Sequence, residues 1–434
     1  MFLSTVFLLS SLGHQGTNSG FIFEEPTPGY LAKSSWTGEV PIESRYIDAF
    51  PSVTKAVRGS MKSAGITGAA IVIMEGEEIK YSRGFGYANL ATWEPFGSVT
   101  ASRCGSISKT ATALAVLKLV SDGKLKLDDN VLKILKTRAE IAAFGPIKPG
   151  WEQIRVRDLL DHASGIKNTS IYLTSHQMAS EMGKSMRLSR IDLFNYVLKN
   201  QALDGVREKF SYSNLNFELL SLIIELKTGL TYRDALQELV VKPLGIPASE
   251  MFLSPTRTVP PDQKTFRNDV LPKEARCYQQ SSKLFESIFV PGKMVAEAYG
   301  GLDGDILSGA GHISFSAEAI AKMVSTLRTR PTSYLSKGVW DEMLKPPGYV
   351  SKPGNGAVSP NYFYSKGTFV KRVSRYKYLF SHSAMLMHAG GNYAYYKENI
   401  HYVVIANCNM KDGVPTVDSI LSKAVVQGLI DAGK

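Results

Sequence analysis

The chain has 434 residues, 44% of them hydrophobic and 21% charged, enough apolar material for one large two-part domain or for two domains. Its net charge of +11 is scattered, with no run of five like charges and no basic patch interleaved with aromatics, which argues against nucleic-acid binding. Cys104, Cys277 and Cys408 show no C-x-x-C spacing, so neither a zinc site nor a disulfide framework is indicated, although one pair is left open.

Residues 1–13 form an apolar run too short to span a bilayer, with small residues at Ser11 and Gly13. The favoured reading is a secretory signal; a buried N-terminal strand or part of a longer leader is the alternative. Residues 14–45 are rich in Gly, Pro and Ser and read as a leader onto a domain at 46–434. An amphipathic helix is expected over 46–63 from Tyr46, Phe50, Val53 and Val57, closed by Gly65. The run from Gly68 to Met74, then the alternating stretch after Gly76, predicts a β-hairpin whose first strand is buried on both faces.

A helix of about four turns follows Gly105, with Ile107, Ala111, Leu114 and Leu117 drawing an apolar stripe. Ser106 and Lys109 share one face of its first turn. Alone they read as a capping serine and a solvated lysine. In a dry cleft the lysine would lose its proton and serve as base to the serine hydroxyl, beside the positive end of the helix dipole.

From about 125 to 330 the pattern is mainly helical, clearest at 186–199, 215–229 and 232–240. Asn168-Thr169-Ser170 is a glycosylation acceptor, usable only in a secreted protein. Strands return at 377–388, 392–397 and 401–408, before a last helix at 416–432. Strands at both ends of a helical middle predict an α+β fold. One antiparallel sheet is built from both chain ends, flanked by helices, with a mostly helical subdomain inserted at about 125–330. The cleft between sheet and insertion is the natural place for a site.

Tyr212-Ser213-Asn214 stands just before an apolar helix. A loop tyrosine is usually a packing residue. Its functional reading is a phenol that hydrogen-bonds the serine hydroxyl and shuttles the proton to the leaving group, a role that needs a nearby cation to lower its pKa. Asn214 would then hold a substrate carbonyl.

Ser106-Ile-Ser-Lys109, Tyr212-Ser-Asn214 and a late His-x-Gly-like element resemble the serine β-lactamase and penicillin-binding-protein superfamily, chiefly its class C-like members. Gly84-Phe-Gly-Tyr-Ala-Asn89, Arg157-Asp-Leu-Leu-Asp-His-Ala-Ser-Gly165 and Ser308-Gly-Ala-Gly311 add to the likeness, which covers about residues 50–430. The family carries Lys-Thr-Gly or His-Thr-Gly on an inner strand. Two stretches here compete for that place. His382-Ser383-Ala384 fits the spacing better and is favoured; His388-Ala389-Gly390-Gly391 fits the glycines better, if Gly390-Gly391 is itself the turn. With His382, Ala384 stands where the motif has glycine.

The resemblance implies a β-lactamase/transpeptidase-like fold and a serine hydrolase cutting an ester, amide or peptide bond. Its acyl-enzyme would form on Ser106, with Lys109 and Tyr212 moving protons and Asn214 and His382 or His388 lining the cleft. The oxyanion hole would join the Ser106 amide to that of Met385 or Gly391. A catalytically inactive descendant with a binding or self-assembly role is the alternative. His162 and His312 read as framework residues. No metal or other cofactor is expected, nor nucleic acid or stable membrane insertion. The expected partner is a small-molecule or peptide acyl substrate, with homo-oligomerisation left open. The expected location is secreted or lumenal, the alternative organellar.

Overall fold

A computed structural model describes residues 42–44 and 49–434 apart from 91, 143–145, 169–175, 186–187, 204, 255–273, 280–283, 352–357, 376, 387–388 and 409–414. The expected signal, and the leader but for residues 42–44, lie outside those residues, as do Tyr46, Thr169, Ser170 and His388.

Helix α1 (Pro51–Ala64) starts later than the apolar spacing predicts, because the proline ring presets helical φ at its first position. It ends where expected, on Gly65 in the left-handed region at φ 66°. Strands β1 (Ile42–Ser44), β2 (Gly68–Glu75) and β3 (Glu78–Asn89) come from the front of the chain. The back supplies β4 (Tyr362–Ser365), β5 (Thr368–Arg372), β6 (Tyr378–Leu386), β7 (Ala389–Lys397) and β8 (Ile400–Ala406). They form one antiparallel sheet in the order β1-β3-β2-β8-β7-β6-β5-β4, and a short strand at Glu94–Pro95 pairs with β3. The two chain ends meet at β2 and β8, where Val72 lies opposite Val403.

Period-two alternation splits β2 between two cores. Ala69, Ile71 and Ile73 pack with Val53, Val57 and Met61 of α1 and with Leu421 and Val425 of α5 (Val417–Asp431). Each fully buried aliphatic side chain there contributes about 1.5–3 kcal/mol. Ala70, Val72 and Met74 face the other core, with α2 (Ser108–Ser121), α3 (Asn214–Thr228) and α4 (Ala317–Thr329). The continuous apolar run in β2 is the signature of that double burial.

Helix α2 departs from its expected single stripe. It is buried on every side from Ser108 to Leu117, so its polar residues must be bonded inside the protein. The Thr110 hydroxyl donates to Gly367 O at 2.8 Å and the Thr112 hydroxyl to Gly309 O at 2.6 Å. Strand β7 also begins earlier than expected, at Ala389. Gly390 and Gly391 are strand residues opposite Met385 and Ala384, not a turn. A Cβ on Gly391 would lie 3.0 Å from the Ile107 side chain, so the glycine lets the sheet pass under the start of α2.

A three-stranded sheet (Ser102–Arg103, Ile313–Phe315, Met251–Leu253) steadies the approach to α2. Arg103 Nε meets Glu274 Oε1 at 3.2 Å, both side chains buried, and Glu274 also accepts the Ser254 hydroxyl at 2.7 Å. Breaking a buried pair strands the surviving charge. Glu274→Ala is therefore expected to cost about 3–5 kcal/mol, read as a lower urea midpoint, whereas removing the exposed pair partner Asp341 should leave the midpoint within error.

Candidate active site

Ser106 stands in a 3-10 turn, Gly105–Ile107, that runs into α2. Gly105 has φ +48°, and a Cβ there would lie 3.1 Å from the Ala384 methyl and 3.3 Å from Leu386 Cβ. The turn is thus pressed onto the face of β6 that carries His382, Ala384 and Leu386. The methyl that Ala384 adds occupies room that Gly105 leaves empty.

Lys109 is wholly buried. Its Nζ donates to Ser106 Oγ at 2.9 Å, Asn214 Oδ1 at 2.8 Å and Ala310 O at 2.7 Å. Burial brings its pKa down to about 7, against the charge of Glu218, which works upwards. Near neutrality the group therefore stands between ammonium and amine. Two of its three acceptors are carbonyl oxygens, which accept but never donate. When Lys109 is neutral its two N–H groups satisfy those carbonyls, and its lone pair is left facing the Ser106 hydroxyl.

The loop before α3 delivers Tyr212 and Asn214 to the same point. Tyr212 hydrogen-bonds Ser106, and Lys109 Nζ lies 4.9 Å from the centre of its ring. The cation expected beside this tyrosine is present, yet burial pushes the phenol pKa up, not down. The phenol is therefore a neutral donor. Asn214 spends its Oδ1 on Lys109, which leaves its Nδ2 for a ligand, and its backbone N–H donates to Asn168 Oδ1 at 3.1 Å.

His382, the histidine that the spacing favours, lies on β6, and His388 lies outside the described residues. His382 is buried, with Nδ1 3.0 Å from Ser383 O and Nε2 3.4 Å from the Tyr364 hydroxyl. Burial, then the charge of Lys109, pushes its pKa down to about 3. It faces the site as a neutral imidazole. Strand β5 pairs with β6 only as far as Ser381, opposite Phe369. The Ser381 carbonyl takes the Thr368 hydroxyl on that edge, and strand alternation puts the Met385 amide on the same edge, beyond the last β5 partner.

Two site residues, Glu218 and Tyr364, carried no signal of their own in the sequence, and a third, His162, read only as framework. Glu218, in the first turns of α3, accepts Gly309 and Ala310 amides at 3.2 and 2.8 Å. Tyr364 fills the space between His162 and His382, at ring distances of 4.8 and 5.9 Å. His162, with a left-handed φ of 54°, lies 4.2 Å from the Tyr212 ring and takes the Ser213 amide on Nδ1 at 3.2 Å. That bond leaves the ring proton on Nε2. His162 is a framework residue, as its setting beside a turn suggests, but the framework it supports is the site itself. Among the described residues there is no group of His, Cys, Asp and Glu able to hold a metal ion.

With this geometry in place, comparisons with known proteins converge. A family model described as Beta-lactamase matches residues 53–424. Protein flp of Staphylococcus aureus is 28% identical over 198 residues, covering 45% of this chain and 37% of that protein. The chain thus spans well under half the length of the curated relatives it matches. Among solved structures, the octameric penicillin-binding protein homologue from Pyrococcus abyssi aligns at TM-score 0.62 and 23% identity, over 88% of this chain and 77% of that one. EstCE1, a hydrolase with promiscuous acyltransferase activity, aligns at TM-score 0.62 and 19% identity, over 87% and 99%. These likenesses establish the fold as β-lactamase/transpeptidase-like.

Histidine NMR gives a direct check on the electrostatics. Burial and the Lys109 charge hold His162 well below its ordinary pKa. His162 and His382 should both keep neutral-imidazole nitrogen shifts from pH 8 down to pH 5, while an exposed histidine titrates near 6.5.

Proposed function

This chain belongs to the β-lactamase family, and on that premise we propose that it is a serine hydrolase that opens an ester, amide or peptide bond through an acyl-enzyme on Ser106. The observation that carries the reading is the bonding of Lys109: two fixed carbonyl acceptors and one hydroxyl. Only the hydroxyl has a proton to give.

In this scheme neutral Lys109 takes the Ser106 proton as Oγ attacks the acyl carbonyl. The oxyanion meets the Ser106 and Met385 amides. Asn214 Nδ2 steadies the acyl side, and His382, with Tyr364 behind it, walls the cleft with neutral groups. The leaving alcohol or amine receives a proton by way of the Tyr212 phenol, which burial keeps protonated for that purpose. Water then enters by the same route and frees the acid.

The hydrolase neighbours of the fold support the reaction class. The place of Ala384 against Gly105 supports an intact site over the inactive alternative, since the departure from the motif is matched by a gap. Secretion rests on the N-terminal apolar run and is tested by sequencing the mature N-terminus. Self-association rests on the octameric Pyrococcus abyssi neighbour and is tested by light scattering.

Ser106→Ala should abolish labelling by a fluorophosphonate probe, and persistent labelling would sink the assignment. Acylation of the wild type should rise with pH through a midpoint of about 7, because Lys109 acts as a base only once its proton is lost. Lys109→Met should lower kcat/KM on a small ester by about 10²–10⁴-fold with the fold intact by circular dichroism.

A further inference from the structure

Glu218 has no part in the chemistry above, yet it is wholly buried. A carboxyl group so placed is costly unless it is hydrogen-bonded. Its bonds lead to the lysine. Its oxygens accept the Gly309 amide at 3.2 Å and the Ala310 amide at 2.8 Å. The carbonyl of the same Ala310 accepts from Lys109 Nζ at 2.7 Å. One residue is gripped by the carboxyl through its N–H and by the lysine through its C=O. Glycine makes the grip feasible, since a Cβ on Gly309 would lie 2.3 Å from Phe217 O and 2.8 Å from Ser221 Cβ.

We propose that Glu218 is the positioning residue for Lys109: acting through Ala310 it aims the lysine at Ser106, and its charge governs when the lysine releases its proton. The proposal rests on the reading of Lys109 as the base. Burial works upwards on Glu218 and downwards on Lys109, and each group's charge opposes the other's shift; the two backbone N–H groups on its oxygens favour Glu218 in the acceptor-only carboxylate form. The remaining groups around the pair are accounted for. Arg190 acts on Glu218 in the same sense as Lys109, and its guanidinium is bonded to Ser221 and Glu225. Tyr232 donates to or accepts from Thr112. Tyr212, His162 and His382 face Lys109 as neutral groups. The carboxylate of Glu218 is thus the charge that favours the ammonium. Its removal lets Lys109 deprotonate at lower pH.

The test follows Lys109 directly. Lysine is labelled with carbon-13 at Cε, the Lys109 resonance is identified by its loss in Lys109→Arg, and its titration is compared between wild type and Glu218→Gln. The expected result is a midpoint lower by about one pH unit in Glu218→Gln, with the acid limb of kcat/KM moving by the same amount at constant KM. Glu218→Asp should restore the wild-type midpoint. An unchanged midpoint in a Glu218→Gln protein of native circular dichroism overturns the proposal. Should that variant not fold, the wild type decides: a second inflection of the Lys109 resonance, coincident with titration of Glu218, supports it, and a single inflection refutes it. A wild type whose Ser106 takes up no probe would instead sink the hydrolase reading, and the resonance titration would still judge Glu218.

Discussion

The physical constraint on which this structure turns is an ammonium group with no water around it. Removing such a charge from solvent costs several kcal/mol unless every N–H finds an acceptor. The fold meets this cost from three directions: the turn at the head of α2, the tip of α3 and the short helix Ser308–Gly311 each bring one oxygen to Lys109. Those three elements are far apart in the chain, so the demand of one side chain ties the halves of the molecule together. The same dryness that makes the charge costly makes the amine available near neutrality, so the stability problem and the chemistry are one problem.

Close approach of backbones is the second organising theme, and glycine is where it shows. Gly105, Gly309 and Gly391 each stand where a Cβ would meet a neighbour at 3.1, 2.3 and 3.0 Å. Gly367, at φ +84°, lets the β4–β5 hairpin tip reach the carbonyl of Lys109, where a Cβ would come within 2.6 Å. The turn that carries Ser106 and the head of α2 are therefore held between a sheet and a hairpin tip that both touch them through missing side chains.

Much of this was legible in the sequence. Period-two burial of β2, Gly65 as a helix end, and the return of strands after residue 377 are local signals, and local signals survive translation into structure. The favoured place of His382 came from counting how many residues the final hairpins need. What stayed hidden depends on contacts that span the chain. Glu218 reads as an ordinary polar position on an apolar helix until the short helix Ser308–Gly311 lies over it. Tyr364 is one tyrosine among 20, and only the β4–β5 hairpin takes it to the site. The stripe assigned to α2 was too narrow because its threonines look like a solvent face, whereas their hydroxyls find partners in four other elements. The ionisation of Tyr212 was misjudged for a related reason. A cation lies beside the ring, but desolvation outweighs it.

The seam between β2 and β8 has a consequence for how the molecule comes into being. β2 is made more than 300 residues before its partner strand on one side, Ile400–Ala406. Until then β2 presents an apolar edge with unpaired backbone groups, and the loop to be closed is more than 300 residues long. Closing the sheet between β2 and β8 is therefore an event of high contact order. A product cut short before β8 would carry Ser106, Lys109, Tyr212, Asn214 and His382 and still have no floor beneath them. Such a species would meet other copies edge to edge before it met a substrate.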